Sequence, residues 1–107
     1  MRAYGSLRRR NEFARVHRRG RRRSGSFLTC LVADGRERTR VGFSVSTAVG
    51  GAVVRNRLRR RIKAILDRYP LDRAPFVDLV VIARPGAGEL SFGELCGEIE
   101  RTFGAGA

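Results

Sequence analysis

The sequence predicts one α+β domain over residues 1–107, a sandwich of sheet and helices whose elements follow in the order α-β-β-α-β-α. A chain of 107 residues can bury a single modest core but cannot hold two domains. Three stretches are β-prone and either alternate in polarity or are apolar throughout, as strands do. Three others repeat apolar residues at the spacing of a helix face. The chain therefore mixes both element types.

The first quarter of the chain is strongly basic. Residues 1–10 lack periodicity and predict a flexible basic arm. Asn11 can cap a short helix over residues 12–19, and Gly20 ends it. Residues 21–25 then predict a basic loop, because they contain three arginines followed by serine and glycine.

The strands are predicted from their side-chain patterns. Residues 26–33 are apolar on both faces, whereas residues 39–46 alternate between apolar and polar. Asp34 and Gly35 mark a turn between them, so the two runs are predicted to pair as an antiparallel hairpin. Residues 76–83 are again apolar on both faces, which is typical of a central, buried strand.

Two further helices follow from their apolar faces. Residues 52–68 gather all their large apolar side chains in a stripe about 120° wide, and Pro70 stops the helix. Ser91 and Glu94 form a capping box that predicts the start of the last helix. One face of that helix then carries Phe92, Leu95, Ile99 and Phe103.

The charge of the chain is large and unevenly spread. The sequence holds 23 basic and 10 acidic residues, for a net charge of +13, and Lys63 is its single lysine. Residues 1–61 contain 18 arginines and three acidic residues, whereas residues 62–107 contain five basic and seven acidic residues. Such a charge on a small domain favours a polyanionic partner, with nucleic acid ahead of an anionic membrane surface. The binding surface is expected in the first 61 residues.

Several other classes of protein are disfavoured. Two cysteines and one histidine at these separations cannot form a zinc cluster, and free thiols are favoured over a disulfide between Cys30 and Cys96. No apolar run is long enough to span a membrane and no secretory signal is visible, so a cytoplasmic location is expected. No carboxylate pair stands near a base and His17 lacks a nucleophile partner, so we predict neither a catalytic residue nor a metal ligand.

The predicted helix over 52–68 carries the strongest functional signal. A solvated helix face would mix charges, because like charges one turn apart destabilise a helix. Here cations dominate, and guanidinium groups are suited to phosphate oxygens. Asn56, the one neutral polar residue among them, can donate and accept toward a ribose or base. The predicted RNA-binding residues are Arg55, Asn56, Arg57, Arg59, Arg60, Arg61 and Lys63.

The same stretch resembles a known signature. Residues 40–46 read Arg-Val-Gly-Phe-Ser-Val-Ser, and after a short link residues 52–60 read Ala-Val-Val-Arg-Asn-Arg-Leu-Arg-Arg. This strand, link and helix in register resemble the bacterial ribonuclease P protein family. The resemblance extends to Phe13 and to residues 78–84, Asp-Leu-Val-Val-Ile-Ala-Arg.

The resemblance implies a fold and a role. The fold is that of a domain of certain small-subunit ribosomal proteins, with a left-handed strand-helix-strand crossover around residues 52–68. The protein is then an accessory subunit of an endoribonuclease, which removes the 5′ leader from precursor transfer RNA. The RNA subunit with bound Mg²⁺ is the catalyst, while the protein binds that RNA and the leader. No obligate protein partner and no membrane are implied.

The resemblance also points to a leader site. Phe13, His17 and Arg40 are its implied contacts, and aromatic residues there stack on unpaired bases. Packing of Phe13 on the sheet and a structural role for His17 are the alternatives. The basic loop with Arg21, Arg22 and Arg23 is predicted to face RNA.

This sequence departs from the family pattern at several positions. Thr47-Ala48 and Gly51 replace common lysines, while His17 and Cys30 align with aromatic residues. The leader cleft is therefore expected to be less aromatic.

Two other classes of nucleic-acid binder are alternatives for this sequence. A small structural RNA-binding protein of ribosomal type would share the charge and the composition. The register of strand, link and helix favours the ribonuclease P family over the ribosomal type. A symmetric dimer interface would favour a nucleoid-type DNA binder, and no pattern in the sequence indicates one.

Overall fold

The computed structural model describes residues 3–104 as a mixed five-stranded sheet with three helices. The sheet order is β1-β4-β5-β3-β2. In chain order the elements are β1 (Gly5–Ser6), α1 (Arg10–Arg19), β2 (Arg21–Ser24), β3 (Leu28–Asp34), β4 (Arg40–Val45), α2 (Ala52–Leu66), β5 (Val77–Ala83), a 3₁₀ turn (Ala87–Glu89) and α3 (Phe92–Thr102). The α+β class is confirmed, and the predicted strands and helices differ from these bounds by a few residues at most.

Strand β5 lies in the middle of the sheet, as its apolar sequence predicts. It pairs antiparallel with β3 and parallel with β4. The predicted hairpin between β3 and β4 is therefore wrong, because the more thoroughly buried β5 is inserted between them. Helix α2 connects the parallel strands β4 and β5, which makes the predicted crossover. Its left-handedness stays a prediction.

The N-terminal segment differs from the predicted flexible arm. Gly5 and Ser6 pair in parallel with Arg40 and Val41 of β4. Tyr4 is 7% exposed and Leu7 is 4% exposed, so both side chains are anchored in the core. The arm prediction is wrong for residues 3–10 because these two apolar side chains, spaced among arginines, are enough to hold the segment. Residues 1 and 2 lie outside the described residues.

Two local predictions near α1 are also wrong. The helix begins at Arg10 with Arg9 as its N-cap, rather than with Asn11. Glu12 makes this start possible, since its carboxylate accepts the backbone N–H groups of Arg8 and Arg9 at 3.1 and 3.0 Å. The predicted loop over residues 21–25 is the edge strand β2, which pairs with β3.

The two faces of the sheet carry different helices. Helix α1 packs on one face, where Val16, Leu31 and Val80 form a small buried cluster. Helices α2 and α3 cover the other face and bury the main core, which includes Ile62 and Ile99. This arrangement makes three layers, with the sheet in the middle.

Buried polar groups tie α3 to β3. Glu98 is 2% exposed and accepts the N–H groups of Phe27 and Leu28 at 2.9 and 3.0 Å. Burial alone would raise the pKa of Glu98, but the hydrogen bonds from Arg101 and these two amides lower it. The carboxylate therefore serves as a charged cap for the start of β3.

Candidate RNA interface

Helix α1 is fixed to the sheet by a cluster of four charged side chains, Glu12, Arg15, Arg40 and Asp78. Asp78 projects from β5, is 1% exposed and accepts two hydrogen bonds from Arg40, at 3.1 and 3.0 Å. Arg15 binds the same carboxylate from α1, and Arg40 also pairs with Glu12. Fork-shaped guanidinium groups suit such shared carboxylates. The cluster therefore sets where α1 crosses the sheet.

The cluster perturbs the ionisation of its members. The backbone N–H groups of Arg9 and Arg8 and the guanidinium of Arg40 lower the pKa of Glu12 to about 2. The hydrogen bonds from Arg40 to Asp78 raise the pKa of Arg40. Arg40 was predicted to bind the leader, but the structure places its guanidinium between two carboxylates. It is a positioning residue for α1 in this arrangement.

Phe13 lies against the backbone of β4. A Cβ built on Gly42 would stand 2.5 Å from Cζ of the Phe13 ring, so glycine is needed for this close approach. Phe13 is half-buried and packs beside Ile82 on the α1 face of the sheet. The ring therefore packs on the sheet and also presents a free portion to solvent. Packing on the sheet and contact with the leader are both compatible with this position of Phe13.

Part of the sheet beyond Phe13 is left open by α1. Side chains alternate along a strand, so Ser44 shares the face of Gly42, and Ser44 is exposed. Arg84 follows β5 at the same end and donates to Thr29 Oγ1 at 2.8 Å and to the Gly25 carbonyl at 3.2 Å. We call the surface formed by Phe13, Ser44, Ile82 and Arg84 the open face. His17 is exposed one turn after Phe13 along α1.

The cations of α2 lie on two flanks of the helix. Lys63 stands 5.7 Å from the ring centre of Phe43 on β4, which places its flank toward the β4 edge of the sheet. Arg68, just after the helix, stands 5.3 Å from the ring centre of Phe92, which places the opposite flank toward α3. At 100° per residue, Asn56 and Arg59 join the first flank, Arg57 and Arg61 join the second, and Arg60 points outward between them.

The first turn of α2 is held by close packing. Arg55 donates to the Gly50 carbonyl at 3.2 Å, which turns its side chain toward the link before the helix. A Cβ on Gly88 would stand 2.6 Å from the side chain of Val54, so the 3₁₀ turn packs tightly against this end. Asn56 accepts a hydrogen bond from Arg59 at 2.9 Å through its carbonyl oxygen. Its amide hydrogens remain available to a ligand.

The two cysteines occupy different environments. Cys30 was expected to bear on the leader cleft, but it is fully buried against α3, with its Sγ 3.3 Å from Oγ1 of Thr102. It lies on the face opposite Phe13, so it cannot affect the open face. Both cysteines are free thiols, as predicted, and Cys96 is half-buried.

The basic triplet Arg21, Arg22 and Arg23 is exposed on β2. None of the three makes an ion pair with another residue of the described range 3–104. Arg21 and Arg23 pair with Val32 and Cys30 of β3, whereas Arg22 pairs with Leu31. Opposed residues of neighbouring strands share a face, so Arg22 lies on the α1 face and its two neighbours lie on the other.

The charged cluster around Asp78 was missed by sequence reasoning. A signal was present, because Asp78 interrupts an otherwise apolar strand and a buried carboxylate requires a partner. Pairing it with Arg15 and Arg40 needs the register of β4 and β5, which no local pattern supplies.

Two general properties complete the description. Within residues 3–104, no three or more histidine, cysteine or carboxylate side chains come together in a way that could hold a metal ion. In the same range, none of the helices has the length and apolar character that crossing a bilayer requires.

Comparison with known proteins identifies the family. The ribonuclease P family model matches residues 1–105. The ribonuclease P protein component of Beutenbergia cavernae is 44% identical to the chain, over 87% of this chain and 80% of that protein. The ribonuclease P protein component of Streptomyces avermitilis is 41% identical, over 94% of both proteins. The fold is shared with the RNase P protein of Staphylococcus aureus, at a TM-score of 0.85 and 21% identity over 94% of both chains. The RNase P protein of Thermotoga maritima superposes with a TM-score of 0.75 and 25% identity, over 88% of this chain and 90% of that one. The chain belongs to the ribonuclease P protein family.

Proposed function

We propose that the chain is the protein subunit of ribonuclease P, which binds the catalytic RNA and the 5′ leader of precursor transfer RNA. The observation that carries the proposal is helix α2, whose outer surface is cationic and which contains no acidic residue from Ala52 to Leu66. Helix α2 packs on the sheet face opposite the open face, so the protein presents two separate surfaces that can each hold an RNA segment.

Helix α2 supplies the contacts with the RNA subunit. Arg57, Arg60 and Arg61 lie off the apolar stripe and reach phosphate oxygens without disturbing the core. Arg59 and Lys63 extend the cationic surface toward the β4 edge. Asn56 offers its amide hydrogens to a ribose or base. Two flanks of charge suit a helix that lies along an RNA groove or between two strands.

The open face receives the leader. A leader is single-stranded, so its bases are free to stack on an aromatic ring such as Phe13. His17 extends this surface along α1, and Arg84 supplies a cation at the end of β5. Arg40 and Asp78 act on the leader indirectly, because they hold α1 at the distance from the sheet that the open face requires.

The hydrolysis itself is assigned to the RNA subunit. When bound there, Mg²⁺ supplies the Lewis acid and the activated water that phosphodiester cleavage requires. The protein contributes binding energy and positioning, and it works in the cytoplasm without an obligate protein partner.

Reconstitution with ribonuclease P RNA tests the proposal. At a low Mg²⁺ concentration, protein and RNA together are expected to remove the leader from a precursor, while neither does so alone. A variant with Arg57, Arg60 and Arg61 changed to alanine keeps the apolar stripe and serves as the folded control. It is expected to lose the stimulation. Cleavage that is unchanged by wild-type protein at every Mg²⁺ concentration would refute the proposal.

A further inference from the structure

A second cleft lies on the face of the sheet opposite the open face, at the other end of β5. Its volume is about 840 Å³, within the range of about 300–1,000 Å³ that is usual for small-molecule sites. The segment between α2 and β5 forms one wall and strand β2 forms the other. The lining includes Tyr69, Pro70, Leu71, Pro75, Val77 and Phe103.

The floor of this cleft is apolar and carries aromatic rings. Tyr69 and Phe103 meet edge to face, with ring centres 5.4 Å apart. Tyr69 is fixed by its hydroxyl, which donates to Glu100 at 2.9 Å. Burial and this carboxylate raise the pKa of Tyr69 to about 12, so the phenol stays neutral and adds no negative charge. A flat, uncharged group can therefore pack against the floor.

The rim of the cleft is cationic. Arg21, Arg22 and Arg23 of β2 all border the cleft, and Arg73 lines the opposite wall. By register Arg21 and Arg23 project on the cleft side, whereas the side chain of Arg22 starts on the α1 face. Arg73 is near the exposed Asp72 at 3.9 Å, whereas the β2 arginines have no carboxylate partner in residues 3–104. Among the described residues that line the cleft, none is acidic. The cationic rim therefore favours the binding of an anionic group from another molecule.

From this combination we infer that the cleft binds one unpaired nucleotide of an RNA strand, at a site separate from the leader surface. The base packs on the floor beside Tyr69 and Phe103, and the flanking phosphates contact Arg21 and Arg23. An apolar floor with guanidinium groups at its rim is the arrangement that single-stranded nucleic acid requires. The inference goes beyond the proposed function, which uses α2 and the opposite face of the sheet.

The test uses the full chain with methyl groups observed by NMR. The probe is a six-nucleotide single-stranded RNA of mixed sequence, and the control probe is an abasic strand of the same length. Methyl groups of Val32, Leu71 and Val77 report on the cleft, while Ile82 reports on the open face. The RNA is expected to shift the cleft methyls, and the abasic strand is expected to bind there about tenfold more weakly or worse, as the loss of one stacked base predicts.

Strand β2 offers a matched pair of variants. Arg21→Gln with Arg23→Gln removes the charge on the cleft side and keeps the aliphatic stems that cover β3. Arg22→Gln removes a charge one residue away, on the other face. The first variant is expected to weaken the RNA-dependent shifts of the cleft methyls by about tenfold and to lower the salt slope by roughly 0.7 per lost phosphate contact. The Arg22 variant is expected to leave them nearly unchanged.

Three results would overturn the inference. The first is RNA-induced shifts at Ile82 but not at the cleft methyls. The second is an equal loss of RNA affinity from Arg22→Gln and from the paired variant. The third is tighter cleft binding by a peptide rich in glutamate and phenylalanine than by the RNA. The reconstituted cleavage assay tests the proposed function separately. A protein that stimulates cleavage with an unresponsive cleft refutes only the present inference, whereas a responsive cleft without stimulation refutes only the proposed function.

Discussion

The two faces of the sheet, both formed by β3, β4 and β5, hold their helices in different ways. On the α2 and α3 face, apolar side chains such as Leu66 and Leu79 are fully buried, and the layer is continuous except at the cleft beside β2. On the α1 face, a buried carboxylate, Asp78, holds a helix through arginines that are about a third exposed, at 32% and 34%. Burial of apolar area stabilises the fold on the first face. The second face uses charge to fix one helix while leaving part of the sheet open to a ligand.

This difference matters because an ionic anchor is directional. The hydrophobic effect is non-directional, so on its own it specifies the position of α1 less sharply than an ion pair does. Arg40 and Asp78 pair across β4 and β5, and the two links from α1, Arg15 to Asp78 and Glu12 to Arg40, attach the helix to this pair. The geometry around Phe13 is therefore set by charged groups that themselves need not touch RNA.

The largest effect is expected from the α2 and α3 face. Leu66→Ala removes a fully buried side chain of α2 and should lower the free energy of unfolding by about 2–5 kcal/mol. Val16→Ala on the α1 face removes fewer carbon atoms from a smaller cluster and should cost less. Denaturant titration of both variants measures the difference. A larger loss from Val16→Ala would show that the α1 face is the main source of stability.

The next effect tests the ionic anchor. Asp78→Asn keeps the shape of the side chain but removes its charge, and it should lower the free energy of unfolding by about 1–3 kcal/mol. Asp72→Asn is the matched control, because Asp72 is exposed and its pair with Arg73 spans 3.9 Å. That control should change stability by less than about 0.5 kcal/mol. Equal effects of the two substitutions would mean that Asp78 does not anchor α1.

A smaller change is expected in the salt dependence of RNA binding. Arg60→Ala should weaken binding to ribonuclease P RNA and reduce the slope of log affinity against log salt by roughly 0.7–0.9, because one phosphate contact is lost. Arg36→Ala removes the same charge from an exposed loop between β3 and β4 and should leave the slope unchanged. A fall in affinity at constant slope would show that Arg60 does not contact phosphate.

The smallest effect concerns pH. The folded-state pKa of Glu12 is about 2, below its ordinary value of 4.5. A lowered pKa means that Glu12 stabilises the fold fully above about pH 4.5 and loses this contribution as the pH falls toward 2. The unfolding free energies of wild type and Glu12→Gln should differ by about 1 kcal/mol or less at pH 6 and converge near pH 2. A gap that widens on acidification would contradict the assigned sign.

The elements that sequence reasoning predicted best are those with strong periodicity. The apolar stripe of α2 and the capping box at Ser91 depend on neighbours within a few residues, so both were found. Strand pairing depends on distant segments, which is why β5 was not expected between β3 and β4. The burial of Tyr4 was missed for a similar reason, since its hydroxyl reaches the Lys63 carbonyl across most of the chain.

In the candidate site too, local patterns were predicted correctly and features that depend on strand pairing were missed. The cations of α2 were read directly, because a charge pattern on one helix is local information. Which face Cys30 occupies could not be read from residues 26–33, since both faces of that run are apolar and periodicity does not distinguish them. The pairing of Arg40 with Asp78 likewise depends on the register of β4 and β5, which no local pattern supplies.

The affinity of the reconstituted holoenzyme for precursor and mature transfer RNA tests the central claim most directly. Phe13→Ala should weaken precursor binding by on the order of 1–2 kcal/mol, the range for one stacked base, and leave mature transfer RNA and assembly nearly unchanged. Gly42→Ala should act in the same direction, because its Cβ would displace the Phe13 ring. Melting temperatures of both variants separate packing from contact. Equal weakening for precursor and mature transfer RNA would contradict the account and leave Phe13 a packing residue alone.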